Sequence, residues 1–287
     1  MGRPHIEFIQ AFDVAEEPVS EGSFAGTQRR LLSQDNETGA WTCLISFPAG
    51  WESNLDDCAR PIECFVLSGE LTLGSASVAP SIYGFVPSGQ SPRIAAAEQT
   101  LALVMADNMG DAPDGDIEIV DPSILAWAPI GAESGMPAGI VYKPLRIDAE
   151  RGDWSYMVAC APYWQSHQAE VHPTVQEGFA LRGDVLDGDF GIMGQGDYFW
   201  RPGMVPHGPM FSHHGALFFF RTKGGSWELE LSDVPEWESM IAEGPDGEEL
   251  RKLLAYLVTF QHSKLSIHPS CSSDGPLMEL LTGKTTG

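Results

Sequence analysis

Leu32-Ser33-Gln34-Asp35-Asn36-Glu37-Thr38-Gly39-Ala40-Trp41 returns later in the chain as Leu145-Arg146-Ile147-Asp148-Ala149-Glu150-Arg151-Gly152-Asp153-Trp154. Leu, Asp, Glu, Gly and Trp recur at one offset of about 113 residues. Two further blocks follow in the same order. Glu63-Cys64-Phe65-Val66-Leu67-Ser68-Gly69-Glu70 is mirrored by Glu177-Gly178-Phe179-Ala180-Leu181-Arg182-Gly183-Asp184, and Tyr83-Gly84-Phe85-Val86-Pro87 by Tyr198-Phe199-Trp200-Arg201-Pro202. Ordered blocks at a nearly constant spacing are the signature of a duplicated unit. Within each copy, short runs of β-branched and aromatic residues end at Gly, Pro or Asp, the pattern of an all-β barrel or sandwich. The reading is two domains, residues 1–122 and 123–226, joined through a Gly- and Pro-rich connection, with a different segment at 227–287. In that last segment Leu250, Leu253, Leu254, Leu257 and Val258 fall at helical spacing, predicting an amphipathic C-terminal helix over 246–261.

The chain of 287 residues carries 16 basic and 40 acidic side chains, a formal net charge of −24. A surface this acidic repels phosphate backbones and anionic lipid, so neither nucleic acid nor a membrane surface is an expected partner. No apolar run approaches the ~20 residues that span a bilayer. Met1-Gly2-Arg3-Pro4-His5-Ile6 offers no apolar signal region, and five cysteines without a CxxC pair suggest no disulfide framework. A reducing cytoplasm is the expected compartment. A small-molecule substrate and a homodimer are the expected partners.

Two segments carry the chemistry. His172 to Gly183 reads His-Pro-Thr-Val-Gln-Glu-Gly-Phe-Ala-Leu-Arg-Gly, and Gly196 to His207 reads Gly-Asp-Tyr-Phe-Trp-Arg-Pro-Gly-Met-Val-Pro-His. They resemble the two signature motifs of the cupin superfamily. The chain as a whole is similar to bicupins, two tandem double-stranded β-helix (jelly-roll) barrels, and among these to ChrR-like and acetylacetone-cleaving cupins. The resemblance implies a divalent metal ion (Fe, Zn, Mn or Ni) in the second copy. His207 occupies the place of the family's last metal-binding histidine, and His172 the second histidine of its His-x-His. Glu170 stands where the first of that pair would be, with His167 as a competing candidate. The family's glutamate position holds Gln176, and Glu177 stands beside it. Imidazole and carboxylate donors suit all four metals.

Strand alternation groups Gln176, Gly178, Ala180 and Arg182 on one face and Glu177, Phe179 and Leu181 on the other. The small and polar face is the one favoured to point inward, which would let Arg182 reach a substrate carboxylate or enolate. Glu177 is kept as a reserve ligand or base. Isolated histidines are ordinarily surface or satisfied core residues. His5, His262 and His268 are read that way, and His213 and His214 as turn residues. Tyr198 and Trp200 share one strand face and are weighed as lining a pocket mouth. In the first copy, Asp56, Cys58, Ile62 and Pro92 take the places of Glu170, His172, Gln176 and His207, so that copy is expected to have lost its metal. Three functions stay open: a metal-dependent enzyme on a small dicarbonyl or carboxylate compound, with dioxygenolytic carbon–carbon cleavage as its most concrete form; a zinc or small-ligand sensor; and a metal-free isomerase.

Overall fold

The computed structural model describes residues 2–55, 60–107, 115–130, 135–225 and 229–233. The helix expected over 246–261 lies outside them, as do Asp56 and Cys58. The described residues form β-strands and short 3-10 turns, with no α-helix among them. None of their helices is long and apolar enough to cross a membrane.

Two large antiparallel sheets have matching strand orders. The first runs Glu118–Val120, Tyr83–Val86, Ile62–Ser68, Thr100–Ala106, Trp41–Phe47, Gln28–Gln34 and Glu17–Pro18. The second runs Ile6–Gln10, Asp197–Arg201, Val175–Asp187, Ala216–Lys223, Asp153–Cys160, Ile140–Asp148 and Ala128–Pro129. The repeat read in the sequence thus appears as two sheets of the same topology, with one twist. Glu118–Val120, which lies before the 122/123 boundary read from the sequence, corresponds in strand order to Ile6–Gln10, and the two cross over: Ile6–Gln10 pairs with Asp197–Arg201, and Glu118–Val120 pairs with Tyr83–Val86. Each copy lends its first strand to the other.

Alternation divides the apolar residues into three layers. Along Thr100–Ala106, residues Ala102, Val104 and Ala106 fill the first barrel with Cys43, Ile45 and Ile62. Leu103 and Met105 point the other way, to meet Phe179, Tyr198, Trp200 and Phe219 of the second sheet. A third cluster, with Val158, Phe199 and Phe218, lies inside the second barrel. Tyr198 and Trp200 therefore belong to the layer between the sheets, and their strand neighbours Phe199 and Arg201 face the second barrel's cavity.

That middle layer holds a buried ionic network centred on Arg221, which is 1% exposed. Its guanidinium donates to Glu63 (2.9 Å), to Glu177 (2.6 Å) and to Asp107. Lys223 adds a 2.8 Å contact to Glu63, and Arg3 a 3.1 Å contact to Glu177. Glu63 and Glu177 are equivalent residues of the repeat, and their surroundings match. Tyr83 donates to Glu63 (2.7 Å) as Tyr198 does to Glu177 (2.5 Å). Ser155 reaches across to Glu63, and Thr42 across to Glu177. Burial opposes ionisation of both carboxyls, but Arg221 and Lys223 on one side, and Arg3 and Arg221 on the other, hold them below the usual carboxylate range.

Breaking a buried ion network leaves uncompensated charge, so Arg221→Met should destabilise the fold by about 3 kcal/mol in urea unfolding. The lowered carboxyls of Glu63 and Glu177 stabilise above their ordinary value of 4.5 and lose that contribution as pH falls toward their folded-state values. The stability–pH slope on the acid side should therefore be shallower in Arg221→Met than in the parent.

Candidate metal centre

The strand Gln168–Val171 and the loop after Asp197–Arg201 build the centre. Glu170 and His207 exchange both backbone hydrogen bonds, 2.7 Å from Glu170 N to the His207 carbonyl and 3.0 Å in return. A pair bonded this way sends both side chains to one face of the ladder, and His172, two residues on from Glu170, shares that face. The two loops are pressed together at Gly203, where a Cβ would lie 2.4 Å from the Pro173 carbonyl, and Met204 N donates to the His172 carbonyl at 2.8 Å. This close approach accounts for a glycine one place from its usual position in the motif.

The result is a buried trio. His207 Nε2 lies 2.8 Å and His172 Nε2 3.5 Å from the same oxygen, Oε1 of Glu170, and the three ligand atoms all fall within 4.8 Å of one another. Donors around one ion at ~2.0–2.2 Å would be spaced about 3 Å apart, so the set fits a divalent cation with little movement. Burial works against the charged form of Glu170, yet His207 and hydrogen bonds from both imidazoles hold its carboxyl well below the ordinary range. Glu170 is thus an anionic donor, as a metal ligand must be.

Glu170 and His207 of the trio sit in the wall of a cavity of about 70 Å³, otherwise lined mainly by Ile140, Val158, Trp164, Phe199, Phe218 and Phe220. Gly178 makes room for two of these rings, since a Cβ there would lie 2.3 Å from Phe199 and 2.5 Å from Phe220. Cys160 also lines the cavity, but burial pushes its thiol up to about 11, so it stays protonated at neutral pH and is a poor nucleophile.

Gln176 also lines the cavity, directly opposite Arg201 in the sheet. Its Oε1 accepts from Arg201 at 3.4 Å, and its Nε2 lies 3.5 Å from His172 Nε2. With the oxygen held by Arg201, the amide turns N–H toward the centre, and a metal needs a lone pair. Gln176 is therefore better placed to donate to a bound oxygen than to serve as the ligand considered from the motif.

Three other candidates lie elsewhere. His167 is exposed, at an odd spacing from Glu170 that sends it away from the trio. Glu177 is enclosed in the network between the sheets, on the opposite strand face from Gln176. Arg182 is exposed because a β-bulge between Ala180 and Arg182 puts it opposite Leu217 and breaks the alternation that would have carried it inward.

The sequence pattern did not single out Arg201. It is 3% exposed and held by Glu7, with an Nη2–Oε2 contact of 2.8 Å, and by Asp187 at 3.0 Å. Asp187 also accepts from Gly208 N at 2.6 Å, next to His207. The available signal was period-two alternation, which places Arg201 on the face of Phe199. The strand Glu230–Asp233, from the segment set apart at 227–287, pairs with Gln168–Val171, with Leu231 opposite Glu170.

In the first barrel the corresponding backbone pairing persists without the donors. Leu55 N donates to the Pro92 carbonyl at 3.0 Å, so fully buried Leu55 takes the part played by Glu170, one residue from the Asp56 that the alignment suggests. Ile62, opposite number of Gln176, is core. Among the described residues, the trio of the second barrel is the only group of metal-ligating side chains this close together.

The fold is the cupin fold. The ChrR cupin-like domain matches residues 116–225, which take in the trio and its cavity. A candidate dioxygenase from Nostoc punctiforme superposes with a TM-score of 0.69 at 21% identity, covering 81% of this chain and 92% of that one. Oxalate decarboxylase from Lactobacillus farciminis, in its formate complex, gives 0.55 at 11% identity over 82% and 90%. A cupin 2 conserved barrel domain protein from Leptotrichia buccalis gives 0.52 at 11% over 77% and 97%. No curated protein matches the sequence.

Glu170→Ala and His207→Ala should each lower divalent-metal affinity by about tenfold or more, read by equilibrium dialysis with elemental analysis, and His167→Ala should leave it unchanged.

Proposed function

We propose that the second barrel is the active site of a metal-dependent enzyme acting on a small oxygen-containing molecule, a dicarbonyl or carboxylate compound, with oxygen-dependent cleavage of a carbon–carbon bond as its reaction. The observation that carries this reading is two histidines and one carboxylate converging on one point, with Glu170 and His207 on the wall of an apolar cavity. Such a facial set leaves coordination positions open and is the donor pattern of non-haem iron oxygenases. When bound, a divalent ion there supplies Lewis acidity toward a chelated carbonyl and, if iron, a route to oxygen chemistry.

The chain's own residues do the rest. Glu170 brings one negative charge, which leaves a divalent site net positive and receptive to an enolate or carboxylate. Gln176, oriented by Arg201, offers an N–H to an oxygen held beside His172. Apolar walls keep water away, which strengthens these polar contacts. A sensor role draws on the ChrR match, and it would show as ligand binding without turnover.

Protein loaded with Fe(II) under anaerobic conditions and then mixed with oxygen and a β-diketone should consume oxygen in proportion to diketone lost. A fully metallated protein that consumes none with any diketone or oxo acid would defeat the enzymatic reading. Gln176→Leu should keep its metal while weakening diketone binding by about tenfold, the value of one hydrogen bond to a charged or polarised oxygen.

A further inference from the structure

Arginine in a binding cavity ordinarily advertises a site for a second carboxylate. Here the surroundings argue the opposite. Arg201 is gripped from one side by both oxygens of Glu7 and from another by Asp187, and its Nη1 is directed to Gln176. Four of a guanidinium's five N–H groups are thereby engaged. Glu7 and Asp187 have side chains only 5% and 7% exposed, so the pair is shielded from solvent screening. Within the clamp one guanidinium is set against two carboxylates, of which Asp187 lines the cavity and Glu7 lies behind Arg201 with His5 Nε2 2.9 Å from its Oε1. The cavity wall is otherwise apolar, with Phe8, Val185 and Met193 in it and the Phe199 ring against Arg201. Glu7 and Phe8 both come from the strand Ile6–Gln10 that the first repeat lends to the second sheet.

We infer that the Glu7–Arg201–Asp187 clamp is a specificity device that restricts the site to compounds with a single chelating head and an uncharged, apolar body, and excludes dianions. A substrate anchored by its head at Glu170, His172 and His207 would extend its other end along the apolar wall. A second carboxylate there would meet an arginine already neutralised and the like charge of Asp187 beside it. The clamp makes no direct contact with the trio, from which Arg201 is separated by Gln176, and it acts on the part of the ligand beyond the chelating head. This inference rests on the metal-chelate reading above.

The test compares two β-diketones of one shape, the para-carboxamide and the para-carboxylate of 1-phenylbutane-1,3-dione. Binding to Zn²⁺-loaded protein is measured by calorimetry. The carboxamide should bind about tenfold or more tightly than the carboxylate, because like charges brought together at a dry surface are strongly disfavoured. In Glu7→Gln, and independently in Asp187→Asn, the preference should shrink to about threefold or less through a gain for the carboxylate, as expected when a neighbouring like charge is removed. Thermal unfolding identifies the variant that keeps its fold. Equal binding of the two compounds to the parent protein, or an unchanged ratio in a folded variant, overturns the clamp while leaving the chelate reading intact. If neither compound binds a protein that holds its zinc, the chelate reading and this inference fall together.

Discussion

Arg221 sits where two sheets meet and is shared between Glu63 of one and Glu177 of the other. Removing three such charges from water is costly, and only close, multiple pairing offsets it. One sheet-to-sheet register brings Arg221 to both glutamates while Ser155 and Thr42 reach across in opposite senses. The network therefore fixes how the two sheets lie on each other more than it adds to net stability. Arg3 belongs to it, and Arg3 leads directly into the strand Ile6–Gln10. Holding that strand in place delivers Glu7 to Arg201 and Phe8 to the cavity wall. The geometry of the candidate site thus depends on a charge pairing in a different layer of the molecule.

The two barrels show what a cavity requires of the residues around it. In the first, Leu55 and Ile62 stand where the second has Glu170 and Gln176, and the interior is packed as core. In the second, polar side chains are buried at a desolvation cost, and each is offset by a partner: Glu170 by two imidazoles, Gln176 by Arg201, Arg201 by two acids. The difference between a filled barrel and an open one is made at a few inward positions on an unchanged backbone plan.

Much of this was legible in the sequence. The repeat showed directly as matched blocks, because Glu63 and Glu177 with Tyr83 and Tyr198 are kept by one shared interaction. Period-two alternation put Gln176 and Glu177 on opposite faces. Alternation failed at Arg182, because a bulge adds a residue that no pattern of polarity marks. The choice between His167 and Glu170 stayed open for a related reason: the deciding contact is a backbone pairing with His207, 37 residues away. The clamp was hidden for the same reason, since Glu7 and Arg201 are 194 residues apart. The crossing of the leading strands was equally silent, because an edge strand's composition does not name its partner.

That crossing has a consequence for how the molecule is made. Glu118–Val120 follows the rest of the first sheet closely as the chain is made, but Ile6–Gln10 leaves the ribosome long before its partner Asp197–Arg201 exists. Until then Ile6–Gln10 is an unpaired strand of the kind that invites association with other chains. Contacts of such long sequence separation also slow the search for the native topology. The two repeats are best regarded as one folding unit clasped at both ends, whose nascent form is the stage most exposed to aggregation and most dependent on chaperone cover.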